Sequence, residues 1–182
     1  MEEPKGKSVF VYELVGMIFI IVLGSILHFI FEWSGSNLIV GAFSAVNESV
    51  WEHLKLAFWP ALLFAILEYR YLRKSTNNFL FAKTVGIYLM PVIITIVFYS
   101  YTAITQGSVF VIDISTFIVA VIIGQLASCK LLTCRRLSEN LDRIALVALV
   151  ILGLAFVLFT FYPPQLPIFR DPITGEYGIF SH

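Results

Sequence analysis

Charge is scarce in this sequence and evenly split. Its 182 residues include twelve Lys or Arg and twelve Asp or Glu, for a formal net charge of zero. No block of five or more basic residues occurs, so nothing recommends nucleic acid as a partner. Cysteine is nearly missing. Cys129 and Cys134, beside Lys130 and Arg135 and with no histidine neighbour, read as reduced structural thiols rather than a disulfide framework or a metal motif. There is no G-x-S-x-G, P-loop or G-x-G-x-x-G, which argues against serine-elbow hydrolysis and nucleotide chemistry. Internal repeats and low-complexity tracts are absent too. The first apolar run ends in no A-x-A cleavage pattern and is too long for a signal-peptide core, so it is read as a retained helix.

What is present is grease. Hydrophobic residues make up 59% and aromatics 15% of the chain, far from the averages of soluble domains, and the class this implies is an integral membrane protein with the lipid bilayer as its first partner. The polar start at residues 1–8 leads into an apolar run from Val9 to Phe31, broken only by Glu13 and His28. At about 1.5 Å per residue that run spans the roughly 30 Å of a hydrocarbon core. The expected fold is one all-α domain of five transmembrane helices, at about residues 9–33, 48–71, 79–103, 109–132 and 144–161, followed by a tail over 162–182. Pro91 is expected to kink the third helix, and the tail is too rich in Pro and Gly for a sixth. Between the first two helices, Ser34–Asn37 reads as a turn. Leu38–Val46 is apolar but too short to cross, which predicts a re-entrant or interfacial segment. Asn47 is expected to cap the second helix, with Glu48 in its first turn.

Orientation follows from the basic residues. Lys5, Lys7, Arg70, Arg73, Lys74, Lys83, Lys130, Arg135, Arg136 and Arg143 fall on one side of a five-helix arrangement, and only Lys55 and Arg170 on the other. That asymmetry predicts an amino terminus inside and a carboxyl tail outside. Trp33, Trp51, Tyr99, Tyr101 and Tyr162 would then form an outer aromatic belt, with Tyr69 and Tyr71 at the inner interface.

The second helix carries the informative residues. Its uninterrupted apolar part, Leu56–Leu67, is only twelve residues, or roughly 18 Å. Counting back about twenty residues from Glu68 places Glu52, His53 and Lys55 inside the slab, where each charge costs roughly 2.5–3.5 kcal/mol at mid-membrane and requires a partner or a water-filled cavity. His28 and Glu32, at i and i+4, share a face of the first helix. Asp113 falls one turn into the fourth helix, on a face that continues through the small residues Thr116, Ala120 and Gly124, a pattern of close helix packing. These residues form one expected outer-leaflet layer: His28, Glu32, Glu52, His53, Lys55 and Asp113 as ligand-binding candidates, with Glu48 beside them. Arg170 joins them as a counter-ion if the tail folds over the layer as a lid.

Plainer readings stand beside the functional ones. Glu48 suits a helix dipole, Glu52 and Lys55 an i,i+3 ion pair, His28 and Glu32 a structural pair at a helix end, and His53 a lone satisfied histidine. Glu13 and Glu68 read as snorkelling acids or as partners of nearby cations. Asp113 has no basic residue within four positions and is either protonated or paired from another helix.

Three functions follow from the layer. In the first, it binds a cation or a small polar or lipid-headgroup ligand, with transport as one use. In the second, His28, Glu32, His53 and Asp113 hold a divalent metal such as zinc, and Glu48 or Glu52 acts as general base in an intramembrane hydrolase. In the third, the chain is a structural or assembly protein, working as a homo-oligomer or with other membrane subunits. The strings FEWSG, NESVWEHLK and FRDPITGEYG resemble a family of small bacterial integral membrane proteins catalogued as a domain of unknown function. That resemblance runs over most of the chain and implies a bacterial membrane setting but no reaction.

Overall fold

The computed structural model describes residues 5–179; the first four residues of the polar start and the last three of the tail lie outside the described residues. Six α-helices are present among the described residues: α1 (Lys5–Trp33), α2 (Leu38–Gly41), α3 (Val50–Leu72), α4 (Phe79–Thr105), α5 (Phe110–Thr133) and α6 (Glu139–Phe161). All but α2 are long and apolar enough to cross a membrane. The fold is all-helical, with only one isolated bridge, Arg170 to Tyr177, among the described residues.

Successive long helices run antiparallel. The last turns of α1, α4 and α6 therefore meet the first turns of α3 and α5 at one end, the histidine end. The opposite end, the basic end, gathers most of the Lys and Arg. α3 is the least apolar of the five, with a mean hydropathy of 1.4 against 2.0–3.0 in the others, and the most enclosed. It packs on α1, α4 and α6. Polar residues are cheapest on the helix that lipid touches least.

Local chemistry shifts several boundaries. Asn47 is not the cap of α3: its Oδ1 accepts from the Ser49 amide (2.9 Å), turning the chain, and Ser49 Oγ then caps the helix by accepting from the Glu52 amide (3.4 Å). Glu48 consequently lies before the helix rather than in its first turn. α6 begins five residues earlier than its apolar run, because Ser138 caps it and Asp142 accepts from the Phe81 amide (2.9 Å), which ties its polar first turn to α4. At residues 38–46 a single turn of helix, capped by Asn37, gives way to turns.

α4 and α5 approach most closely at Gly86 and Gly124, where a Cβ on either would stand 2.7 Å from the other's carbonyl oxygen. At the basic end, Asn78 adopts a left-handed φ of 54°. Its amide donates to the carbonyls of Leu131 (3.3 Å) and Arg135 (3.0 Å) and its Oδ1 accepts from the Leu137 amide (2.6 Å), stapling the α3–α4 turn to the α5–α6 turn.

The histidine end is locked by a buried ion pair. Lys55 Nζ lies 2.5 Å from Glu52 Oε2, and neither side chain reaches solvent. The remaining ammonium protons go to Gly41 O (2.8 Å) and Thr160 Oγ1 (2.7 Å). Glu52 accepts from the Val46 amide (3.1 Å) and from Thr160 Oγ1 (3.1 Å). One network thus joins α3, α6 and the segment after α2. The tail seals it: Ile179 N donates to Thr160 O (3.1 Å), Asn47 Nδ2 donates to Gly178 O (3.3 Å), and Phe169 packs at a tilt on Trp51 with centroids 4.8 Å apart. Trp51, expected in an interfacial belt, packs among Phe156, Phe159 and Phe169.

Gly124→Val should destabilise the protein by about 1–3 kcal/mol through forced separation of α4 and α5, whereas Gly107→Ala, where an added Cβ meets nothing, should be neutral; equilibrium unfolding in detergent compares them. By the same measurement, Lys55→Met should cost about 3–5 kcal/mol because it strands a buried carboxylate. The pair Glu52→Gln/Lys55→Met should recover more than half of that loss, and no recovery would show that the charge balance is not what holds this end.

Candidate functional site

The histidine end holds a second polar group, separate from the sealed pair and half open to the surface. Three segments supply it: His28 from the last turns of α1, Glu48 from the turn before α3, and His53 from the first turn of α3. His28 Nε2 and His53 Nε2 are 3.2 Å apart, His53 Nε2 lies 3.4 Å from Glu48 Oε2, and His28 Nε2 lies 3.7 Å from Glu48 Oε1. One donor atom from each of the three lies within 4.8 Å of the others, as a metal ion would require.

The tautomer of His53 follows from its surroundings. Its Nδ1 stands 2.9 Å from Ser49 O, a carbonyl that can only accept, so Nδ1 carries a hydrogen and a neutral ring turns the Nε2 lone pair toward His28 and Glu48. A backbone carbonyl holding the distal N–H is the usual support of a metal-binding imidazole, because it fixes both ring orientation and tautomer. Ser49 therefore acts twice, its hydroxyl capping α3 and its carbonyl aiming His53. Glu48 is held below the usual carboxylate range, chiefly by the hydrogen bond that His53 Nε2 donates to it when the ring is protonated, and against the opposing effect of partial burial.

Two of the triad's edges match the spacing of zinc ligands. Two ligands about 2.05 Å from a tetrahedral zinc ion lie roughly 3.3 Å apart, close to the 3.2 and 3.4 Å edges that meet at His53, while the edge from His28 to the other Glu48 oxygen is longer at 3.7 Å. Two imidazoles and one carboxylate leave one position of a tetrahedron open.

The expected layer is thus divided. His28, His53 and Glu48 come together. Glu52 and Lys55 are drawn into the saturated network, where no valence remains for a ligand. Glu32 is exposed and adds only its negative field near His28. Asp113 takes its partner from another helix, accepting a short hydrogen bond from the Tyr101 hydroxyl, and its charge reaches His53 through space. Among the four residues expected as metal ligands, Glu32 and Asp113 stand outside the triad and Glu48 takes their place. The tail does fold onto this end, but Arg170 is no counter-ion to the layer. Its Nε donates to Gly175 O (3.2 Å) within a turn organised by Asp171.

A further polar centre lies near the basic end. Glu13 of α1 and Glu68 of α3, read from sequence as snorkelling or cation-paired, are both fully buried and share Lys83 of α4. Lys83 Nζ is 2.8 Å from Glu13 Oε1, which also accepts from Ser128 Oγ of α5 (2.9 Å). Lys83 had counted only as a topological charge. That a polar position just inside α4 faces two acids on other helices is a fact of packing, with no local signature.

No curated protein and no solved structure matches the chain. A family model matches it over residues 1–179, in agreement with the expected membership of a family of unknown function. By that match the chain belongs to the family of unknown function DUF6512.

Proposed function

We propose that this is a multi-pass protein of a bacterial cytoplasmic membrane whose His28, Glu48 and His53 bind a divalent transition metal of the zinc class at the extracytoplasmic face. The observation that carries the reading is the triad's geometry: three donors gathered within 4.8 Å, two of their edges at tetrahedral spacing, with the His53 N–H already committed to Ser49 O. The orientation rests on the distribution of Lys and Arg. Lys55 and Lys83, one from each end, are buried in ion pairs, and the remaining cations keep their bias toward the amino-terminal side, which is the cytoplasmic signature. The segment over residues 38–46, which includes α2, then enters the outer leaflet as a re-entrant element whose Gly41 carbonyl is satisfied by Lys55.

A half-open three-ligand site suits capture of a cation that is later handed on, or of an oxygen-bearing group such as a lipid headgroup phosphate at the open position. A second reading, metal-dependent hydrolysis, is favoured by that same open position, where a bound water would be acidified. Its general base is neither Glu48, which serves as a ligand, nor the sealed Glu52. Asp113 and Glu32, whose fields reach the two imidazoles, take that role in this reading.

Purified protein should bind one zinc ion per chain. His28→Ala, His53→Ala and Glu48→Gln should each weaken binding by more than about 100-fold, since even outer-shell changes cost about 10–100-fold, while Glu32→Gln and Asp113→Asn retain the metal. Acidification should release it as protons compete for the imidazole nitrogens. Calorimetric titration with zinc checks the set, and equal affinity in all five variants would contradict the site.

A further inference from the structure

The centre near the basic end is unbalanced in a way that the sealed pair is not. Glu52 and Lys55 are one acid and one base with every proton placed. Glu13, Glu68 and Lys83 are two acids and one base, all at 3% exposure or less. Glu13 is well supported: Oε1 accepts from both Lys83 and Ser128. Glu68 has only its ion pair with Lys83. Its Oε1, like Glu13 Oε2, is buried without any donor, and on α5, one turn from Ser128, the buried Gln125 leaves its Nε2 amide unused.

With all three groups ionised, the centre would carry one uncompensated negative charge in a low-dielectric interior, which is far costlier than a neutral acid. The other titratable group facing it is the thiol of Cys129 on α5, within electrostatic reach of Glu13 and Lys83. A neutral thiol offers no compensating charge. Phe79 lies against the lysine, its ring centroid 5.9 Å from Nζ. We propose that Glu13, Glu68 and Lys83 form a proton-binding site in which Glu68 carries the exchangeable proton and Glu13 remains the ionised partner of Lys83.

The assignment to Glu68 follows from hydrogen-bond supply. Ionised Glu13 has two donors, whereas ionised Glu68 would rely on a lysine already shared. The site occupies the first turns of the α1 and α4 spans and the last of α3, so its proton exchanges at the basic end. It is independent of the metal triad, about 22 Å away along α1 at 1.5 Å per residue.

Infrared difference spectroscopy on the full chain in lipid nanodiscs tests this through the carbonyl stretch of protonated carboxyl groups. At neutral pH the wild type should show a protonated-carboxyl band that disappears on alkalinisation and is insensitive to sodium. Glu68→Gln should lose one carboxyl equivalent of that band. Glu13→Gln should lose the same equivalent, because one acid beside one lysine holds no excess charge and Glu68 then ionises. Both are near-isosteric changes, and thermal unfolding of each sample verifies that it is folded. A band unchanged in Glu68→Gln, a band retained in Glu13→Gln, or its removal by sodium at constant pH would overturn the proposal.

Discussion

The ion pair between Glu52 and Lys55 governs the histidine end. Two charges are removed from water there, and what makes this tolerable is saturation: the ammonium spends its three protons on Glu52, Gly41 and Thr160, and the carboxylate accepts from Lys55, Val46 and Thr160. Buried pairs contribute little net stability compared with an apolar replacement, but breaking one is expensive, so they fix a particular arrangement. Here the arrangement is the position of residues 41–49 against α3 and α6. Glu48 reaches the two histidines because that segment is pinned from beneath.

The histidine end therefore has two tiers with different chemistry. The lower tier is sealed by the tail and has no free valence. The upper tier is half exposed, its His53 oriented by Ser49 and its three donors facing one another. A rigid, satisfied layer under an open set of ligands is the arrangement expected of a binding centre, since ligand positions are only as well defined as the groups that support them. The same helix pair that supplies the two histidines, α1 and α3, supplies Glu13 and Glu68 at the other end. The chain thus places titratable groups at both ends of its most enclosed helix.

Much of this was legible from residues alone. Five helices follow from apolar runs of spanning length, and the buried polar first turns of α3 follow from having only twelve apolar residues between Leu56 and Leu67. The division of those polar residues was not legible. Periodicity puts Glu52 and Lys55 on one face and His53 on another, yet it does not say that Thr160, more than a hundred residues away, completes the first pair. Glu48 looked like a helix-dipole acid because Asn47 looked like the cap; the Asn47–Ser49 turn moves the helix start by two residues and frees Glu48 for the histidines. Lys83 entered the sequence reading only as a count of charge, because its partners Glu13 and Glu68 lie on other helices. Arg170 read as a counter-ion because the tail was expected to fold over the layer as a lid, but the Asp171 turn draws its guanidinium toward Gly175.

The central claim is that His28, Glu48 and His53 form one metal centre. X-ray absorption at the zinc edge of the metal-loaded, membrane-embedded protein tests it most directly. The account predicts a four-coordinate ion with two imidazole nitrogens and oxygen ligands at about 2.0–2.1 Å, and loss of one imidazole contribution in His28→Ala. A spectrum showing sulfur ligands, or only water-like oxygens with no imidazole scattering, would contradict it.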